Sequence, residues 1–170
     1  LSIRSSVSYV NTHGNLGGSG YTFNNPGMQT IWTARQVDWE YQRTHIENPD
    51  GTQISWINRW HDNPYWMQYK NLNPQTENRL MGFASVKYEF TDWLSLMVRS
   101  GIDYSNEQFE LKRAYYSMDY QEGRYNVNNY FRQEINSDFL FSANKNLTDD
   151  LSLSANLGGN IMNQQYRSQG

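Results

Sequence analysis

Cysteine is absent from the 170 residues, which removes disulfide frameworks, thiol nucleophiles and cysteine zinc sites together. Long apolar runs are absent too. The longest are of the size of Leu96-Met97-Val98, far short of the roughly 18 to 20 residues that a membrane-spanning helix requires, so a helical membrane protein is excluded. Clusters of basic residues are also missing. The 14 Lys and Arg are scattered and the net charge is −3, which leaves no footprint for nucleic acid. His13, His45 and His61 stand alone, with neither HExxH spacing nor carboxylates at ligand-like offsets, so no metal or other cofactor is expected. Neither an initiator Met nor a charged-then-apolar leader precedes Leu1, and the chain is expected to be part of something larger.

What is present is aromatic and alternating. Aromatics make up 15% of the chain, with 13 Tyr and 6 Trp, an excess shared by β-proteins, membrane interfaces and sugar-binding surfaces. Apolar residues recur at every second position in five tracts, near 1–11, 79–91, 93–105, 128–145 and 151–163. Leu1, Ile3, Val7 and Tyr9 share one face of the first tract, opposite Ser2, Arg4, Ser6 and Ser8. In the second, Leu80, Ala84, Val86, Tyr88 and Phe90 oppose Ser85, Lys87 and Glu89. The third sets Leu94, Leu96, Val98, Ile102 and Tyr104 against Ser95, Arg99 and Asp103. The fourth sets Phe131, Ile135, Phe139 and Phe141 against Arg132, Glu134, Asn136 and Asp138. Leu151, Leu153, Leu157 and Ile161 continue the pattern in the fifth.

Tracts of this length exceed the 5 or 6 residues typical of globular strands and approach what a tilted strand needs to cross an outer membrane, about 9 to 11 residues. A wall of that kind is apolar only at alternate positions, so a mean hydropathy of −0.87 is compatible with it. Connections alternate between short ones, at Thr91-Asp92 and Asn146 to Asp150, and long ones over 12–78 and 106–127. Outer-membrane barrels have this rhythm, with tight periplasmic turns and long external loops. The expected fold is therefore all-β: a transmembrane antiparallel β-barrel segment of five meander strands, with a short loop helix around Met28 to Val37 after Asn25-Pro26-Gly27. Arg4, Lys87, Glu89, Arg99, Asp103, Arg132, Glu134 and Asp138 would face the lumen. Tyr9, Phe90, Trp93, Tyr104 and Phe131 would form two interfacial aromatic girdles, for which ordinary strand-end packing is the alternative. A secreted carbohydrate-binding β-sandwich would show the same alternation, and so would a barrel of other function.

No pattern supports catalysis. Asp38 with Glu40 and Asp149 with Asp150 are pairs that any sequence of this length offers. Asn146-Leu147-Thr148 is expected to be turn chemistry, and Gly14 to Gly20 a flexible loop without the Lys of a phosphate site. Trp56, Trp60, Tyr65, Trp66 and Tyr69 crowd into one loop, where exposed aromatics could contact a ligand or partner or pack the loop against itself.

Certain phrases carry a family resemblance. From Asp62 to Glu107 they are Asn78-Arg79-Leu80 with Gly82, then Tyr88, Thr91-Asp92-Trp93-Leu94-Ser95-Leu96, Arg99, Gly101 and Asp103-Tyr104. A second block spans Gly123 to Asn160, and Asn25 to Asp38 matches a short loop helix. Together they resemble the barrel of SusC/RagA-type TonB-dependent outer-membrane transporters. The resemblance implies an importer of glycans, or of peptides in some members, in the bacterial outer membrane. It also implies a plug inside a larger barrel that couples to the TonB complex, and a SusD-like surface lipoprotein as lid. The remaining barrel strands and the lipid bilayer would be further partners. Nothing in this sequence matches the plug. Replacing Trp56, Trp60 and Trp66 with Ala is expected to weaken uptake or partner docking while assembly survives, which transport assays on membranes would measure.

Overall fold

The computed structural model describes residues 1–18, 25–57, 60–148 and 150–170. Asp149 and part of the Gly14 to Gly20 stretch lie outside the described residues. The chain is all-β, with one open five-stranded antiparallel sheet and three short helices. The strands are β1 (Ser2–Asn15), β2 (Pro74–Thr91), β3 (Leu94–Ser117), β4 (Tyr120–Thr148) and β5 (Leu151–Gln169). They pair in sequence order, so the sheet is a meander with β1 and β5 as its edges. Between β1 and β2 the chain forms α1 (Pro26–Ile31), α2 (Trp39–Thr44) and α3 (Pro64–Lys70).

Two expectations need correction. The segment 106–127 is not a loop: β3 runs on to Ser117 and β4 begins at Tyr120, with only Met118 and Asp119 in the turn. A ladder between two strands needs only backbone hydrogen-bonding partners, whereas hydrophobic alternation reports burial, and this stretch has too little apolar alternation to be seen that way. The single helix over Met28 to Val37 is instead α1, a break, and α2. Asn25 caps α1 by accepting from the Gly27 amide at 3.0 Å, with Pro26 in the first turn. The Thr30 hydroxyl donates to the Gly27 carbonyl and that of Thr33 to the Gln29 carbonyl, local bonds of the kind that compete with helix continuation. Asp38 then opens α2 by accepting from the Tyr41 amide at 3.0 Å. α3, which the sequence pattern did not foretell, uses the same device, with Asn63 as cap and Pro64 in the first turn.

By its contacts the chain divides into two compact units. The first comprises Leu1–Asn11, Glu77–Glu107 and Tyr130–Gln169; the second comprises Thr12–Thr76, Gln108–Asn129 and Gly170. All buried large apolar residues among those described, Trp66 and Met67, belong to the second unit. The first has alternation without a core. Val7 is 77% exposed, Leu157 69% and Ile161 73%, and Leu1, Ile3, Val98 and Leu153 are similarly bare. Leaving these seven side chains in water forgoes on the order of 10 kcal/mol of burial, as much as the whole stability of a typical domain.

Strand pairing in this unit is tight where β1 meets β2. A Cβ on Gly82 would stand 2.8 Å from the Ser6 carbonyl oxygen, closer than real side chains approach, whereas one on Gly14, in the part of β1 that belongs to the second unit, would meet nothing within 4 Å. Gly82→Val is expected to loosen β1 by about 1–3 kcal/mol, the usual scale for overpacking, and Gly14→Val to leave it intact. Hydrogen exchange of the β1 amides in the two variants checks this.

Candidate functional site

The second unit is built around polar residues. Its long insertion, 16–73, is clamped at the base: the Leu16 amide donates to the Asn73 carbonyl at 2.9 Å, the Asn73 side-chain amide donates to the Leu16 carbonyl, and the Asn73 backbone amide donates to the Asn15 side chain. Within it, Asn48-Pro49-Asp50-Gly51 makes a turn, closed by the Gly51 amide donating to the Asn48 carbonyl at 2.9 Å. Gly51 sits at φ +84°, where a side chain would be strained, and the Asp50 carboxylate accepts from the Thr52 amide and hydroxyl.

The insertion grips the tip of the β3–β4 hairpin through a buried network. Gln53 donates to the Tyr116 carbonyl at 2.7 Å and to the Asp62 carboxylate at 2.6 Å; the same carboxylate oxygen accepts from the Met118 amide at 2.8 Å. The Trp66 indole donates to the Ser117 hydroxyl at 3.1 Å. That hydroxyl donates onward to Asn71, which also accepts from the Ala114 amide. Tyr116 lies at φ +67°, a conformation that costs a residue with a side chain about 1–3 kcal/mol and persists only where its surroundings impose it. Here the imposing partner is Gln53. Burial pushes the Asp62 carboxyl above its ordinary value, an effect opposed by the bonds from Gln53 and Met118.

This geometry separates the five loop aromatics. Trp66 is 2% exposed and bonded to Ser117, so it is a core residue, not a contact residue; the local pattern of exposed neighbours could not reveal that its indole would find an acceptor 51 positions away. Trp56 is half-buried, stacked on the His61 ring with centroids 5.2 Å apart, and Tyr65 is half-buried on α3. Burial pushes the His61 imidazole below its ordinary pKa. Only Trp60, 63% exposed, and Tyr69, 62% exposed, offer open rings. The histidines have separate surroundings: His13 meets Thr76, His45 stacks on Tyr41, and His61 meets Gln29.

In the first unit the charged residues named from sequence come together on one face of the sheet. Arg99 pairs with Asp138 at 2.9 Å across β3 and β4, Asp103 with Arg79 at 2.5 Å across β2 and β3, and Lys87 with Glu89 along β2. Glu134 accepts from Gln164 at 2.7 Å, Arg132 lies over the Tyr166 ring, and Asn160 bonds Asn136. Arg4 lines a pocket with Lys87 and Arg99. On the opposite face Tyr104 and Phe131 meet edge to face at 5.3 Å, Phe90 meets Tyr88 at 4.9 Å, and Tyr9 donates to Asn78 at 2.6 Å. Trp93 sits in the turn after β2, beneath the Lys145 ammonium. Arg79 and Glu77 join the charged face although sequence reading assigned them no role. Their signal was the odd-numbered phase of Lys87 and Glu89, which runs back through Arg79, Glu77 and Gln75.

No known family pattern and no curated protein matches this chain. The chemistry must be argued from geometry. The two faces of the sheet differ in kind, one crossed by ion pairs and the other bare and apolar, while the insertion is hydrogen-bonded at its base and carries two open rings.

The network predicts how the platform responds to substitution and pH. Asp62→Ala leaves the Met118 amide without its acceptor and Gln53 with only one, and is expected to destabilise the clasp by about 1–3 kcal/mol per orphaned group. Asp62→Asn keeps an acceptor oxygen and removes the charge. Because the folded-state pKa of Asp62 is raised, its contribution is greatest below the unfolded-state value and declines as pH rises through the folded value. The protection of the Met118 amide relative to its intrinsic exchange rate should therefore rise on acidification in the wild type and lose that dependence in Asp62→Asn.

Proposed function

We propose that this chain forms part of the wall and external loops of a bacterial outer-membrane β-barrel, within a TonB-dependent nutrient importer of the SusC/RagA type. The carrying observation is the bare apolar face of five paired strands, lying back to back with a face crossed by ion pairs. Lipid tails solvate the first and water or a plug solvates the second; no soluble arrangement of this unit alone satisfies both. Strands of 14 to 29 residues support the reading, since each exceeds the 9 to 11 or so that span a bilayer at a tilt. A secreted β-sandwich needs a second sheet to cover the apolar face, and the described residues form one.

In this reading the turns after β2 and β4 are periplasmic, and the clasped insertion with the β3–β4 hairpin tip is extracellular. Both edges pair with further barrel strands. Arg4, Lys87, Glu89, Arg99, Asp103, Arg132, Glu134 and Asp138 look into the lumen, and Tyr9, Phe90, Trp93, Tyr104 and Phe131 sit at the two bilayer interfaces. The TonB complex acts through a plug contributed from outside this stretch, a SusD-like lipoprotein docks on the external platform, and the solute is a glycan or a peptide. The chain is wall and platform, not an enzyme.

Placing a charge on each face tests the wall. In the parent barrel, Leu157→Arg is expected to cost about 2–4 kcal/mol of membrane stability, as Arg at the bilayer midplane does, while Asn156→Arg on the other face costs little. Equal effects in urea unfolding from vesicles, or full solubility without detergent, would defeat the assignment. For the platform, Trp60→Ala with Tyr69→Ala should weaken lid docking with assembly unchanged. Trp66→Ala should instead lower the stability of the insertion, by about 3–5 kcal/mol for loss of a buried Trp. Co-purification of the lid and proteolysis of the loop distinguish the two outcomes.

A further inference from the structure

The charged face carries one feature that ion pairing leaves unresolved. Near the β2–β3 turn, a concavity of about 270 Å³ is lined by Arg4, Lys87 and Arg99 together with Ser2 and Ser85, and no carboxylate lines it. Lys87 and Arg99 have acidic partners in Glu89 and Asp138, each at 2.9 Å. Arg4, among the described residues, has none. The cluster thus keeps a net positive charge, against a chain whose overall charge is −3. Another concavity on this face differs in sign: Arg79 and Arg132 are there met by Glu77, Asp103 and Glu134.

We propose that the Arg4–Lys87–Arg99 pocket is an oxyanion-binding site that takes a carboxylate or phosphate group. Its parts suit that chemistry. The Arg4 guanidinium can offer paired N–H donors to an oxyanion, the Arg99 guanidinium and the Lys87 ammonium add positive charge beside their own acids, and the Ser2 hydroxyl can donate, while that of Ser85 donates to the Arg4 carbonyl at 3.5 Å. Arg4 is the primary ligand, because its charge is uncommitted. Lys87 and Arg99 share theirs with their acids and reinforce the field. The site rests on the importer reading only for its location in a lumen; the charge arrangement belongs to the sheet itself. The anion is borne either by a solute passing along this face or by a carboxylate of another part of the parent protein.

Thermal unfolding of the detergent-solubilised parent protein, titrated with citrate, inorganic phosphate or uncharged glycerol, tests the assignment. A solute site gives a melting temperature that rises with millimolar citrate or phosphate and not with glycerol, an apparent affinity weakened roughly tenfold or more in Arg4→Gln, and recovery in Arg4→Lys. A site filled by the protein's own carboxylate gives no response to added anions. In that case Arg4→Gln and Lys87→Gln lower the melting temperature without any ligand, and Arg4→Lys restores it. Wild type and Arg4→Gln that melt alike under all conditions overturn the proposal. Solubility of the parent protein without detergent would sink the importer reading alone, since the same titration then runs in buffer.

Discussion

An antiparallel sheet has two faces, and each must meet a solvent that suits it. In this chain that constraint governs everything else. The alternation that makes Leu1, Ile3, Val7, Val98, Leu153, Leu157 and Ile161 share a surface also puts Arg4, Arg99, Asp103 and Asp138 on the reverse. A soluble domain resolves the conflict by folding a second layer over the apolar side, and the described residues contain none. Much of the polar side is matched internally instead, through ion pairs such as Arg79–Asp103 and Arg99–Asp138 that cross from strand to strand. Such exposed pairs contribute little energy, but each joins side chains of neighbouring strands and so favours one register over the others.

The second unit follows a different logic. With Trp66 and Met67 as its only buried large apolar residues among those described, it cannot rely on a hydrophobic core. It relies on side chains that satisfy backbone groups: Asn25, Asp38 and Asn63 at helix starts, Asn15 and Asn73 at the base, and Gln53, Asp62 and Asn71 at the hairpin tip. Each such bond contributes modestly to stability, but breaking one leaves a buried group unpaired, so the network is more exacting than its individual strengths suggest. The strained backbone of Tyr116 shows that the tip is held in place by its neighbours and not by its own preference. A surface loop built this way presents Trp60 and Tyr69 from a fixed base, which lowers the ordering cost of any contact they make.

Charge on the sheet is also distributed unevenly. Around Arg79 and Arg132 carboxylates line the same concavity as the cations, whereas none lines the pocket of Arg4, and Arg4 itself has no acidic partner among the described residues. Identical residue types at equivalent phases of neighbouring strands therefore have different chemical capacities. What separates them is which partner the strand register brings alongside.

The sequence by itself determined the sheet, its meander order and the division of residues between faces, because a period of two is imposed by backbone geometry wherever a strand has unlike sides. It also announced a helix start after Asn25-Pro26-Gly27, whose signal lies within a few residues. Three things were decided only by tertiary structure. The hairpin over 106–127 forms because two polar segments pair with each other, and pairing leaves no hydrophobic signature. Trp66 becomes core because Ser117, far away in sequence, accepts its indole hydrogen. Arg79 joins the ion-paired face because register sets it beside Asp103. Local pattern fixes which way a side chain points, but the identity of its partner is a matter of long-range pairing, and that physical difference marks where the sequence stops being legible.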